Sequence, residues 1–321
     1  MKTRQFAAYL LHFPGPLHIS NTRDDYGVSL HTISSDTLYA ALTATLAKMG
    51  KDIPADGDLA CVVSGAFPYY QADAAAIPTL FFPKPMAYTI PTTDNTQIKK
   101  MKKVAWLDKY YLEQVLNGQK LSEADVQLHV NGSYLTNQSF EPFIDSQVNA
   151  RVTVSRSGED AKPFYMDEVY FKGHSGLFFL AEGDTSLIDE VLPLLAQEGV
   201  GTDRNVGHGY FEYKKEHLEI QVPDSADLGL ILSTFIPEDK LQLEQAIDNP
   251  HVAYELIRRG GWITSAPYNT LRKNAIYAFT AGSVLNDVVS GTGKIVDLAP
   301  KGLINHPIWR CGKTIVLPIK L

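Results

Sequence analysis

Between Gly199 and Tyr213 the chain reads Gly-Val-Gly-Thr-Asp-Arg-Asn-Val-Gly-His-Gly-Tyr-Phe-Glu-Tyr, with glycines at 199, 201, 207 and 209. Glycine tolerates positive φ and leaves main-chain N–H groups uncovered, so an anion can approach the backbone closely. Thr202, Arg204 and Asn205 lie between the glycine pairs and add side-chain donors for a phosphate. His208 stands between Gly207 and Gly209. A neutral imidazole there has the chemistry of a general acid or base in RNA cleavage, and equally that of a plain hydrogen-bond donor. Nothing in the sequence pairs it with a nucleophile.

The familiar nucleotide motifs do not fit. A P-loop closes with Gly-Lys-Ser/Thr, which this stretch lacks. The dinucleotide fingerprint follows a strand and opens a helix. Here the helical pattern Leu187 to Gln197 comes first and the aromatic, apolar run Tyr210 to Val222 follows. That order suits a glycine loop entering the last strand of a βαββαβ unit, and favours a polyphosphate backbone over a mononucleotide. No His-Glu-x-x-His, no Gly-x-Ser-x-Gly and no close carboxylate trio occurs, so no metal or cofactor is expected.

Other segments must position this loop. Gln5 to Phe13 reads as a strand buried on both faces and ended by Pro14-Gly15-Pro16. A polar loop then carries His18, Ser20, Asn21 and Arg23 toward His31. Ser34, Ser35 and Asp36 are cap candidates for a helix with Leu38, Leu42 and Leu46 at four-residue steps. Its free N–H groups are expected to attract phosphate, with Asp36 an ordinary cap. Leu59 to Gly65 and Thr79 to Phe82 read as strands, and Pro83-Lys84-Pro85 holds Lys84 in an extended segment. The run Lys99, Lys100, Lys102 and Lys103 is either a solvated face or an RNA contact.

Trp106 to Leu116 reads as a helix, and Val126 to Gly183 as β-rich. Within the latter, Arg151 and Arg156 with Phe164 and Tyr165 suggest a long hairpin able to reach over a nucleic-acid strand and stack on a base; a core role for the two aromatics fits equally. Pro223-Asp224-Ser225 marks the expected boundary between domains 1–222 and 223–321. In the second half, Leu228 to Ile236 reads as a strand and Glu238 to Ala246 as a helix, in a degenerate version of the first unit.

The chain's 321 residues allow two domains, each with its own core. A net charge of −7 argues against a generally basic nucleic-acid coat, so any RNA site is a local positive groove. Cys61 and Cys311 are the only cysteines, which excludes a cysteine zinc cluster and fits a reducing compartment. The apolar start is broken by His12 and Pro14, too short for a membrane segment, and a cytoplasmic location is expected.

Pro14-Gly15-Pro16-Leu17-His18, Ser35-Asp36-Thr37-Leu38 and the glycine loop resemble the RAMP superfamily of CRISPR effector proteins. Phe82-Pro83-Lys84-Pro85 and the ending His306-Pro307-Ile308-Trp309-Arg310-Cys311-Gly312-Lys313 resemble one branch, the fourth subunit of the type III-A Csm complex. The resemblance implies an α+β fold of two ferredoxin-like (RRM-like) domains with a protruding β-hairpin thumb. It implies a non-catalytic subunit that grips the 5′ repeat-derived handle of the guide RNA. The implied protein partners are the large polymerase-like subunit and the backbone-forming RAMP subunit. Carried over by residue, Gly199, Gly201, Thr202, Arg204, Asn205, Gly207 and Gly209 should lie against handle phosphates. Ser34, Ser35 and Lys84 would line the same groove and Arg156 the thumb. His18, Arg151, His208 and Tyr210 complete the expected RNA-binding set. The alternative is an endoribonuclease that processes repeat RNA with His208 or His18.

Overall fold

A computed structural model describes residues 1–20, 26–90, 95–123, 126, 129–153, 162–286 and 288–321. The first half runs β1 (Lys2–His12), α1 (Ser35–Lys48), β2 (Cys61–Val63), β3 (Phe67–Tyr70), β4 (Thr79–Pro83), α2 (Asn95–Lys102), β5 (Trp106–Asp108) and α3 (Lys109–Leu116). It continues through β6 (Val130–Asn131), β7 (Tyr134–Leu135), β8 (Ile144–Thr153), β9 (Lys162–Phe171), β10 (Gly176–Gly183), α4 (Ser186–Glu198) and β11 (Glu212–Val222). The second half holds β12 (Leu228–Ile231), α5 (Lys240–Ile247), β13 (Leu256–Arg259), β14 (Ile276–Phe279), β15 (Val284–Asn286), β16 (Ile295–Asp297), β17 (Trp309–Cys311) and β18 (Val316–Ile319).

Strand β1 divides the interior. Phe6, Ala8 and Leu10 enter one apolar cluster, while Tyr9 and Leu11 enter another. Side chains alternate across a strand, so a run apolar at every position must be covered on both faces. Its antiparallel neighbours β10 and β11 flank it in the order β11-β1-β10-β3, and the sheet continues through β4, β5, β7 and β6. On one face Leu38, Leu42 and Leu46 of α1 meet Val191, Leu192 and Leu195 of α4. On the other lie Leu112, Val115 and Leu116 of α3, together with Leu228, Leu230, Leu317 and Ile319 from the second half. The halves therefore share a core, where the sequence suggested one each. Helices α1 and α4 cover one apolar face of β1, and α3 together with the second half closes the other.

Three expected elements differ. Trp106 to Leu116 splits into β5 and α3, because Asp108 accepts the Tyr111 N–H at 2.9 Å and caps a later helix start. The strand from Leu228 stops at Ile231, beyond which the amides of Leu232, Phe235 and Ile236 bond to Ile315, Phe279 and Gly312. The second half forms a three-stranded sheet, β15-β12-β18, and two separate ribbons, β13-β14 and β16-β17. Pro193 lies inside α4 on an exposed position, leaving the Asp189 carbonyl without its helical donor.

Strands β8 and β9 make a ten-rung hairpin off the main sheet, from Ile144↔Phe171 to Thr153↔Lys162. Its base is tied to the body where Leu17 and Val169 exchange N–H···O bonds of 2.9 Å. Residues 154–161, including Arg156 and the expected Ser157-Gly158 turn, lie outside the described residues.

Candidate nucleic-acid interface

The glycine loop leaves α4 at Gly199, and all four of its glycines have positive φ. What they permit is close packing within the protein. An added Cβ would stand 1.8 Å from the Val200 carbonyl oxygen at Gly209, 2.4 Å from that of His18 at Gly201, and 2.8 Å from that of His208 at Gly199. Most of the loop amides are consumed by this packing. Thr202 donates to the His18 carbonyl at 3.0 Å, Val200 to Gly209 at 2.8 Å and Gly209 to Pro16 at 2.8 Å. The amides of Val206, Gly207 and His208 turn inward on Asp203 and Arg204. This corrects the expectation of a continuous row of uncovered amides, since glycines that let two backbones touch also let them bond.

What remains outward is the tip. Arg204, Asn205 and Gly207 are exposed, and Gly207 has open space where a Cβ would sit. The amides of Asp203, Arg204 and Asn205 donate to nothing among the described residues. Asp203 adopts φ 59 and precedes a short 3-10 turn, Arg204–Val206. Successive N–H groups in a left-handed then right-handed bend converge on one point, the geometry that accepts an anion.

The hairpin joins the loop through Arg151. Its guanidinium bonds to Glu168 across the hairpin, reaches His208 Nε2 at 3.1 Å and lies 3.8 Å from Asp203. Asn149 and Tyr170 also donate to Glu168, at 2.8 and 2.9 Å. Burial pushes the Glu168 carboxyl up, but hydrogen bonds from Arg151, Tyr170 and Asn149 outweigh it and hold the group below its ordinary range. Arg151 is thus fixed as a cation where hairpin and loop meet.

The two candidate histidines point inward. His208 is buried and accepts from Arg151 at Nε2, so its proton sits on Nδ1, which is enclosed and unpartnered. His18 is buried, with Nδ1 2.7 Å from the Asp167 carbonyl and Nε2 enclosed without a partner. Aromatic groups lie on the hairpin and at the strand entrance. Tyr165 is 64% exposed and Tyr210 40% exposed, whereas Phe164 packs on Tyr26 at 5.5 Å.

The start of α1 is not an open phosphate site, which corrects a second expectation. The Ser35 hydroxyl accepts the Thr234 N–H at 2.7 Å, and Ser34 accepts from Arg259 at 2.9 Å. Asp36, fully buried, pairs with Arg259 at 2.7 Å and faces Arg310 at 3.7 Å. The second half docks on these groups, so they serve the junction. Lys84 is likewise engaged elsewhere: Nζ donates to the Tyr88 carbonyl at 2.9 Å, burial lowers its pKa, and its neighbour Met86 bonds to Gly282. The His306 to Lys313 segment also serves the junction. Its Lys313 pairs with Asp58, and a Cβ at Gly312 would stand 2.4 Å from Ile236. Sequence reading missed Glu168 and Arg259, each paired across a separation that no local pattern records, and Lys273, which lies beside Arg259, Arg310 and Asp36.

No helix among the described residues is long and apolar enough to cross a membrane, and no cluster of three or more His, Cys, Asp or Glu among them could hold a metal ion.

Comparison with known proteins places the chain. Residues 224–319 match the family described as the CRISPR Csm4 C-terminal domain. A Streptococcus thermophilus protein described as CRISPR system Cms protein Csm4 is 26% identical over 311 residues, spanning 92% of this chain and 93% of the relative. A Thermococcus onnurineus protein of the same description is 24% identical over 175 residues, 53% of each chain. The fold resembles that of a solved Csm3–Csm4 subcomplex of the type III-A interference complex, with TM-score 0.63 and 15% identity over 99% of this chain and 100% of that one. It also resembles a Csm1–Csm4 cassette in complex with cA4, with TM-score 0.61 and 19% identity over 99% of both chains.

Proposed function

Because the chain is a Csm4-like RAMP protein, we propose that it is a non-catalytic subunit of a type III-A CRISPR effector complex that grips the 5′ handle of the guide RNA. The observation that carries this reading is Arg151, which locks the β8–β9 hairpin onto the glycine loop beside His208 and Asp203. The lock sets Arg151 beside a loop tip that exposes Arg204 and Asn205 and three amides without a partner among the described residues; Tyr210 follows that tip in the chain, and Tyr165 is exposed on the same hairpin. Phosphates would lie on the amides and guanidinium groups, and splayed bases on the tyrosines. On an acidic chain of net charge −7 such a groove is local.

We read the β11-β1-β10-β3 unit with α1 and α4 as ferredoxin-like, the β8–β9 hairpin as the thumb, and residues 223–321 as a reduced second unit. The partners proposed are the counterparts of Csm1 and Csm3, the large and backbone subunits, in the cytoplasm. Solved Csm4 chains of this fold are found with those two proteins. The nuclease alternative is disfavoured, since His18 and His208 offer no open ring nitrogen to a ribose hydroxyl.

The test is the double variant Arg151→Ala, Arg204→Ala, co-expressed with the partner subunits. It should keep the wild-type circular dichroism and lose most of the guide RNA that co-purifies with the complex. Wild-type amounts of loaded complex would contradict the reading.

A further inference from the structure

Where α1 meets the second half, a buried Asp36 and Arg310 and a part-buried Arg259 and Lys273 leave the charges unbalanced. Among the described residues, Asp36 is the one carboxylate facing three cations, Arg259, Arg310 and Lys273. The hydroxyls of Ser34 and Thr37 accept from Arg259 at 2.9 and 2.6 Å but bring no charge. Arg310, 9% exposed, donates to the Asp36 carbonyl at 2.9 Å, yet its Nε is enclosed and meets no acceptor. The ammonium of Lys273 has no acceptor among the described residues either. Burial, with Arg310 and Arg259 alongside, brings the Lys273 pKa down to about 7, the behaviour of a cation lacking its counter-charge. Buried charge without a partner is costly, so a cluster of this kind is built to receive an anion.

We propose that this cleft binds a phosphate of the guide RNA, with Lys273 contacting the phosphate and Arg259 and Arg310 supplying the surrounding field. The proposal rests on the RNA-binding reading above and extends it to the second half. Approach is open on the Gly261 side, where a Cβ would meet only Lys273 Cε, at 3.9 Å. Beside it the Arg272 guanidinium lies 4.7 Å over the Trp262 ring. Adjacent cationic and aromatic surfaces are what a single RNA strand uses.

The experiment uses the full chain with a labelled ribo-oligonucleotide of handle length, titrated over a range of salt and pH. Lys273→Ala should bind about threefold or more weakly, with a log–log salt slope shallower by about 0.7, the value of one single-strand phosphate contact. The charged groups facing Lys273 are Arg259, Arg310 and Asp36. Phosphate binding raises the pKa of Lys273 and takes up a proton, so wild-type affinity should fall as pH rises above 7. Lys273→Arg should retain binding and lose that pH dependence. Wild-type affinity and slope in Lys273→Ala would overturn the proposal while leaving the RNA-binding reading intact. A wild-type chain that binds no RNA would overturn both. Inorganic phosphate raising the unfolding midpoint of that chain but not of Lys273→Ala would then assign the cleft to free phosphate instead.

Discussion

Gly209 and Gly207 sit two residues apart in one loop and do different work. At Gly209 the backbone has φ 68 and a Cβ would lie 1.8 Å from a carbonyl oxygen, whereas Gly207 has φ 92 with open space around it. Gly207→Ala should therefore cost only the backbone penalty, about 1 kcal/mol. Gly209→Ala adds a steric clash within a packed backbone and should cost at least about 3 kcal/mol, or prevent folding. Urea unfolding of the two variants separates these outcomes, and equal costs would contradict the packing role. The sequence shows that four glycines cluster; it does not show which are needed for packing and which for exposure. That depends on Pro16 and His18, far away in the chain, whose carbonyls receive the loop's N–H groups.

At the scale of elements, strands and helices with a strong local signal follow their patterns. The unbroken apolar run of β1 predicts two covered faces, and Leu38, Leu42 and Leu46 predict the inner stripe of α1. Elements set by a single side chain, such as α3 with its Asp108 cap, shift by a few residues. The hairpin is recognisable from its arginines, but its partner Glu168 is not, because a lone glutamate in a strand reads as a surface residue. That carboxylate, 3% exposed, takes up part of the Arg151 guanidinium. Glu168→Gln should free the guanidinium for a phosphate, steepening the salt dependence of RNA binding by about 0.7 in log–log slope. A shallower slope would mean that Glu168 positions Arg151 for the ligand rather than competing with it.

For the whole molecule, the junction between halves decides what is rigid. Residues 223–321 complete the core under β1 and bring Arg259 and Arg310 onto Asp36. Ser34 and Ser35 read as open helix-start groups only while the second half is out of view. Burial raises the Asp36 carboxyl, but Arg259 and Arg310 outweigh it and keep its pKa below the ordinary value. A depressed carboxyl stabilises the fold above its unfolded pKa, about 3.9, and loses that contribution as pH falls through the folded value. Asp36→Asn strands buried cations and should cost about 3–5 kcal/mol at neutral pH. In denaturant unfolding the gap to wild type should narrow below about pH 4.

The account turns on where RNA lies. The most direct measurement is ultraviolet cross-linking of the handle to the assembled complex, with the linked peptides identified by mass spectrometry. Cross-links should concentrate at Tyr210, in peptides covering residues 199–213, and at Tyr165 on the hairpin. Cross-links confined to other surfaces, with the loop and hairpin unlabelled, would contradict it.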